Sequence, residues 1–190
     1  LFAKMGIIFK PLTTETWKDF EKLFGPRGAC GGCWCMTCRL TKSQYDVSKG
    51  EGNKREMKRL VSAAEAIGIL AFDGDEPVGW CAVAPREKYV RLEKSRALKP
   101  VDDRPVWSVS CFFVAKSYRM KGLSVSLLRA AVDYASRFGA KIVEGYPIDP
   151  NEKKMPDVFA WTGILSSYLK AGFVEEKRHS PSRPIVRYYR

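Results

Sequence analysis

The stretch from Val106 to Phe138 constrains this chain more than any other. Val106–Val114 is an unbroken run of β-branched, aromatic and small residues, the strongest strand signal present. Strict alternation would turn Trp107, Val109, Cys111 and Phe113 to one face and Ser108, Ser110, Phe112 and Val114 to the other. A turn at Lys116–Arg119 follows. From about Gly122 to Phe138 the apolar residues recur at helical spacing: Leu123, Leu127, Leu128, Ala131, Tyr134, Ala135 and Phe138. Gly139 stops that helix.

The flanking sequence fits around this unit. Gly6–Lys10 reads as a short strand, and Thr13 or Thr14 caps a helix with Trp17, Phe20 and Phe24 on its apolar face. Gly28–Cys38, rich in glycine and cysteine, reads as a loop or short irregular helix. Asn53 starts a second helix, with Glu56 placed for a capping box and Met57, Leu60, Val61, Ala64 and Ile67 as its stripe. Ile69–Phe72 and Pro77–Ala84 form a hairpin about Asp73-Gly74-Asp75. Arg86–Arg104 is a basic loop with a short helix. Ala140–Tyr146 is a strand, Val158–Lys170 a helix ended by Gly172, and Phe173–Lys177 and Ile185–Tyr189 a terminal hairpin. Leu1–Lys4 precede Met5 and are expected to be an appended remnant. No repeat or linker interrupts residues 5–190, which read as one α+β domain. A chain of 190 residues buries roughly 70% of its unfolded surface, so no disulfide or metal staple is needed.

Charge and cysteines bound the chemistry. Lys plus Arg number 33 against 21 Asp plus Glu, a net charge of +12. The excess is spread along the chain, which suits a solvated basic surface or an anionic partner and disfavours a polycationic substrate. No apolar run approaches the roughly 20 residues of a membrane span, and the first residues do not have the charged head, apolar run and small-residue cleavage site of a signal peptide, so secretion is not expected. Four of the six cysteines fall in Cys30-Gly-Gly-Cys33-Trp-Cys35-Met-Thr-Cys38. Two C-x-x-C pairs one residue apart are too close to wrap a tetrahedral zinc, which normally takes two knuckles well separated in sequence. Small buried thiols packed with Trp34 and Met36 are the plainer reading. Six free thiols point to a reducing cytoplasm.

The segment Val114-Ala-Lys-Ser-Tyr118-Arg119-Met120-Lys121-Gly122-Leu123-Ser124 carries the chemistry. A helix amino end offers unpaired N–H groups and about half a positive charge. Gly122 lets backbone approach a ligand, Ser124 is small, and Arg119 and Lys121 add charge. These residues alone fit a pyrophosphate cradle or a strand-to-helix turn equally well.

The spacing Arg119-x-x-Gly122-x-Ser124, after Val114 and before an amphipathic helix, resembles the coenzyme A motif of the GNAT superfamily of acyl-CoA N-acyltransferases. Ser124 departs from the usual glycine or alanine. Tyr168-Leu-Lys-Ala-Gly172-Phe173 is similar to that family's Tyr-x-x-x-Gly-Phe element, and the order of elements matches from about Gly6 to Arg190. Cys33-Trp34-Cys35-Met36, Gly79-Trp80, Ala84-Pro85-Arg86 and Glu144-Gly145-Tyr146-Pro147 resemble one bacterial and archaeal subgroup. The resemblance implies an α+β GNAT fold, with a mixed, mostly antiparallel central sheet of about six to seven strands flanked by helices. It implies an acetyl-CoA-dependent N-acetyltransferase acting by direct attack of an amine. Backbone groups of Phe112, Phe113 and Val114 would pair with the pantetheine arm. Arg119, Met120, Lys121, Gly122, Leu123, Ser124 and Val125 would hold the pyrophosphate. Tyr168 would be the general acid, or else a core aromatic. Many family members use a glutamate on the strong strand as base. Ser108 and Ser110 stand there and are poor bases, so Glu144 is the candidate, against a structural carboxylate.

The acceptor side is expected over the first two helices, with Trp34, Cys35 and Met36 lining it. A small-molecule or peptide amine is the expected acceptor, with no metal, nucleic acid or membrane partner. Homodimers occur in the superfamily, but no interface can be read from these residues. Two rival readings remain open: a zinc- and nucleic-acid-binding module, and an acyl-CoA-binding sensor without catalysis.

Overall fold

Alternating apolar residues resolve into one seven-stranded sheet in the computed structural model, which describes residues 6–150 and 161–190. The strands are β1 (Ile7–Pro11), β2 (Gly68–Asp73), β3 (Glu76–Pro85), β4 (Trp107–Val114), β5 (Ile142–Gly145), β6 (Val174–Arg178) and β7 (Pro184–Tyr189). Their spatial order is β1-β2-β3-β4-β5-β7-β6. Every neighbouring pair is antiparallel except β4 and β5, which run parallel. This is the mixed, mostly antiparallel sheet that the sequence led us to expect. The Leu1–Lys4 segment and the start of the helix expected from Val158 lie outside the described residues.

Six helices accompany the sheet among the described residues: α1 (Trp17–Phe24), α2 (Lys42–Ser48), α3 (Glu51–Ser62), α4 (Val90–Glu93), α5 (Leu123–Arg137) and α6 (Leu165–Ala171). None is long and apolar enough to cross a membrane. Along β3, Cys81 and Val83 pack with the α5 stripe, while Trp80 and Ala82 pack with α1, α3 and the cysteine loop. The period of two in the strand thus feeds two cores, one on each face. Leu127, Leu128, Ala131 and Ala135 are completely buried under the sheet. Phe138, expected in that stripe, lies past the helix end and is exposed.

Three local expectations are corrected. The helix expected to begin at Asn53 begins at Glu51. Asn53 is buried within it, its Nδ2 donating to the Gly32 carbonyl at 3.0 Å, so it ties the cysteine loop to α3 instead of capping. Glu56 pairs with Arg59 rather than closing a box. A capping box does exist, at Thr41 and Gln44 on α2, a helix with no buried residue and hence no apolar stripe to reveal it. The strict alternation assigned to β4 also fails. Ala82 pairs with Cys111 and Val83 with Val109, leaving Ser110 without a partner on β3. This β-bulge shifts the facing by one residue, so Trp107, Val109, Phe112 and Val114 pack toward α5, and Cys111 and Phe113 toward α1.

Candidate active site

The bulge lies where β4 and β5 part. Their parallel pairing covers only Trp107↔Val143, Ser108↔Glu144 and Val109↔Gly145. Beyond Val109, β4 continues for five residues with β3 on one edge and, among the described residues, no strand on the other. Ala115 donates its N–H to Val78. By the alternation of antiparallel pairing, Phe113 also spends its backbone groups on β3, while Phe112 and Val114 turn theirs to the open edge. Of the three residues expected to hold an extended ligand by backbone pairing, the structure therefore offers Phe112 and Val114. The Val114 carbonyl accepts from Arg119 Nε at 3.2 Å, and the Phe112 carbonyl receives only a long contact from the Cys111 thiol, 3.7 Å.

The open edge leads directly to the amino end of α5. Met120 and Gly122 both have positive φ, 58° and 78°. For Met120 this is a costly backbone state, of the kind found where a loop is held for function. No hydrogen bond among the described residues uses the backbone N–H of Met120, Lys121, Gly122, Leu123 or Ser124. A Cβ on Gly122 would meet nothing within 4 Å, so the glycine serves the left-handed conformation and the space before it is open. Lys121 lies over the Tyr118 ring, whose hydroxyl donates to Asp73. Ser124 and Ser167 hydroxyls meet at 3.3 Å, linking α5 to α6. Leu123 is buried beneath the loop, and Val125 packs against the same core. Together these leave a run of unbonded amides at the amino end of α5, beside the point where β4 and β5 part, an arrangement that could hold an anion.

Tyr168 fills the floor of the opening. Its ring is wholly buried, edge-on to Phe112 and Phe173. The fit depends on Gly145, named above only within a motif, and on Gly163, which sequence reasoning passed over. A Cβ on Gly145 would stand 2.1 Å from Tyr168 Cε1, and one on Gly163 would stand 2.9 Å from Cε2. A glycine ending a short strand was the available signal, since it marks close approach of another group. The Tyr168 hydroxyl donates to the Thr162 carbonyl at 3.1 Å. Burial pushes its pKa well above the ordinary tyrosine value, so it holds its proton at neutral pH.

Glu144 is placed differently from the expectation of a base. It is completely buried, and both carboxylate oxygens are taken: Oε1 by Arg86 at 3.0 Å and the Tyr146 hydroxyl at 2.7 Å, Oε2 by Arg187 Nε at 2.7 Å. Arg187 reaches on to Asp102, and Arg86 to Glu93 and the carbonyls of Leu92 and Leu98. Ser108 donates to the Tyr146 hydroxyl. This ionic strut clamps β5 to β7 and to the loop after β3. Three of its four lone-pair sites are filled, two of them by arginines, and the side chain is wholly buried, which suits a structural carboxylate better than a base for an incoming amine. Arg86 was named above only within a motif, and no local signal announced Arg187 or Asp102 as its partners in the strut, because these contacts span long sequence separations.

The cysteine loop is also placed differently. Trp34, Cys35 and Met36 were expected to line an acceptor pocket, yet they are 3%, 4% and 1% exposed. Trp34 stacks on Phe24 with ring centroids 5.7 Å apart, and Trp80 donates its indole N–H to Cys35 Sγ. They close the core between α1, α3 and the sheet. Cys30 is exposed, the other five cysteines are buried, and none is in a disulfide. No group of three or more His, Cys, Asp or Glu among the described residues converges as metal ligands.

Comparison with known proteins gives a consistent picture. The model of the acetyltransferase (GNAT) family matches residues 34–155, well over half of the chain. No curated protein matches the sequence. Among solved structures, a GNAT-family acetyltransferase of Listeria monocytogenes superposes with a TM-score of 0.59 at 9% identity, over 99% of each chain. The PaiA N-acetyltransferase of Thermoplasma acidophilum, in complex with coenzyme A, gives 0.54 at 15% identity, over 98% of this chain and 100% of that one. NAA60 of Arabidopsis thaliana, in complex with acetyl-CoA, gives 0.51 at 14% identity, over 97% and 99%. At such identities these likenesses establish the fold alone.

Proposed function

The chain belongs to the GNAT acetyltransferase family, and on that premise we propose that it moves the acetyl group of acetyl-CoA to an amine by direct attack. One observation carries the reading: the buried Tyr168 packs against Phe112 and Gly145, where β4 leaves β5, beside a strand edge that is open among the described residues and leads to the amino end of α5. The backbone of Phe112 and Val114 would pair with the pantetheine amides as an added strand. The N–H groups of Met120–Ser124 would receive the pyrophosphate, with Arg119, Lys121 and Val125 around it. Acetyl-CoA supplies an activated acetyl group as its thioester.

The residues of the chain then divide the work. The acceptor is a small-molecule or peptide amine, and its nitrogen forms the new C–N bond as the C–S bond breaks. Tyr168, kept protonated by burial, gives its proton to the departing thiolate. The amine loses its proton to water. Glu144 is assigned to holding β5 in place rather than to proton transfer, because Arg86, Arg187 and Tyr146 occupy both oxygens. The reaction is proposed to run in the cytoplasm, where the six thiols stay reduced. Radiolabelled acetyl transfer from acetyl-CoA to a mixed amine pool tests the proposal. We expect product formation, and a kcat lower by about 10²-fold or more in Tyr168→Phe, with cofactor affinity kept. An unchanged kcat removes Tyr168 from the mechanism, and cofactor binding without turnover on any amine makes the chain a sensor.

A further inference from the structure

Three arginines are buried among the described residues: Arg39, Arg86 and Arg187. Two of them have carboxylates. Arg86 binds Glu144 and Glu93, and Arg187 binds Glu144 and Asp102. Arg39 has none. It is only 7% exposed, and its Nε and Nη2 are buried without any hydrogen-bond partner. Its guanidinium lies over the Tyr89 ring, 5.0 Å from the centroid, which fixes its plane and satisfies no N–H. A buried charge left unpaired is costly, and native chains rarely keep one without use.

The orphaned atoms have a directional meaning. Nε and Nη2 form one edge of the guanidinium, with two parallel N–H groups that match a planar carboxylate. Elsewhere in this chain the same edge grips carboxylates: Arg59 on Glu56, Arg104 on Asp102 and Arg178 on Glu175, at 2.7–3.1 Å. At Arg39 the edge is formed and the carboxylate is missing.

The surroundings place Arg39 on the acceptor side. The Tyr89 hydroxyl beneath it is fully buried, makes no hydrogen bond within 3.5 Å, and has Ser110, the bulge residue of β4, close by. Thr162, whose carbonyl takes the Tyr168 hydroxyl, has an orphaned Oγ1. Four of the six orphaned buried side-chain atoms thus belong to Arg39, Tyr89 and Thr162. A second cation, the half-buried Arg183, has no carboxylate partner among the described residues, and its electrostatic neighbours are Cys38 and Tyr168. Arg39 and Arg183 both act on Cys38. Arg91 acts on the same thiol, and Arg183 also acts on Tyr168.

We propose that the acceptor is an amine that also carries a carboxylate, such as a free amino acid, with the carboxylate held by the Nε–Nη2 edge of Arg39 and the charge of Arg183 in support. The proposal rests on the acetyl-transfer reading for the fate of the amine. It rests on Arg39 alone for the carboxylate.

Two arms test it. In the ligand-free chain, Arg39→Met removes an unpaired buried charge, so the melting temperature should rise by about 3 °C. Arg187→Met, which strands Glu144 and Asp102, should lower it. A fall with Arg39→Met as large as that with Arg187→Met would show a structural arginine and overturn the proposal. In the second arm, amino acids and their carboxamides are compared pairwise as acceptors with acetyl-CoA, with O-phosphoethanolamine as a phosphate control. We expect at least a tenfold preference in kcat/KM for the carboxylate member of a pair, lost in Arg39→Gln with the Kd for acetyl-CoA unchanged. Equal use of the carboxamides, acetylation confined to amines without a carboxylate, preference for the phosphate, or persistence of the preference in Arg39→Gln overturns it. Should acetyl-CoA fail to bind, the acetyl-transfer reading falls by itself. The melting arm, and direct titration of the same pairs, then still decide the role of Arg39.

Discussion

Replacing Gly145 by alanine drives a methyl group into the Tyr168 ring. The new Cβ would stand 2.1 Å from Cε1, 2.8 Å from Cζ and 2.9 Å from Cδ1, where ordinary contact is 3.4–4 Å. The ring would have to retreat by more than about 1 Å, far beyond what a close-packed interior yields without strain. It has nowhere to go. Gly163 abuts its other edge, Phe112 and Phe173 bracket it with centroids at 6.1 and 5.1 Å, and no part of it is exposed. Overpacking of this kind costs about 1–3 kcal/mol. In a chain of this length each kcal/mol lowers Tm by about 2–4 °C, so a fall of about 2–12 °C is expected by circular dichroism. The displaced hydroxyl should also lower kcat. Tyr168→Leu supplies the control, since a leucine leaves room for the methyl. On that background Gly145→Ala should cost less than about 0.5 kcal/mol, a coupling that marks direct contact. A single mutant melting within about 1 °C of wild type, or an equal loss on both backgrounds, refutes the wedge.

Other outcomes follow from the same contacts. Cys30 is the exposed thiol, while burial pushes Cys33 and Cys38 up to about 12, so one thiol per chain should react quickly with a disulfide reagent at pH 8. Cys30→Ser should abolish the fast phase, and further fast thiols would contradict the core placement of Cys33–Cys38. Asp102, Glu56 and Glu175 are held below the ordinary carboxylate value by hydrogen bonds from arginines. A lowered folded pKa contributes stability that is present above the unfolded value of about 4 and is lost as pH falls through the folded value. Melting temperature should therefore hold between pH 7 and 5 and drop below pH 4, with Asp102→Asn weakening that dependence. A Tm that rises on acidification would contradict the ion pairs.

Periodicity carried most of the fold. The stripe from Leu123 to Ala135 and the β-rich run at Trp107–Val114 became α5 and β4 within a residue or two of their expected ends, because each buries a continuous apolar face. The bulge at Ser110 left no mark in composition, since it depends on how Ala82 and Val83 pair with a strand distant in sequence. The turn into α5 was legible for a local reason: a left-handed Gly122 sits between its strand and its helix. Glu144 was not. Only the chain's return through Arg86, Tyr146 and Arg187 shows that its oxygens are taken. Arg39 was silent for the same reason, because its lack of a partner shows only when the carboxylates of the described residues are seen to lie elsewhere.

Isothermal titration of the purified chain with acetyl-CoA, beside Gly122→Glu, tests the central claim most directly. A Cβ at Gly122 enters open space, so the variant keeps its fold at a backbone cost of about 1–2 kcal/mol. Its carboxylate then faces the pyrophosphate. The account predicts one site per chain with a Kd on the order of tens of micromolar or tighter, and its loss in Gly122→Glu. No heat of binding from the wild-type chain, or equal binding by the variant, would contradict it.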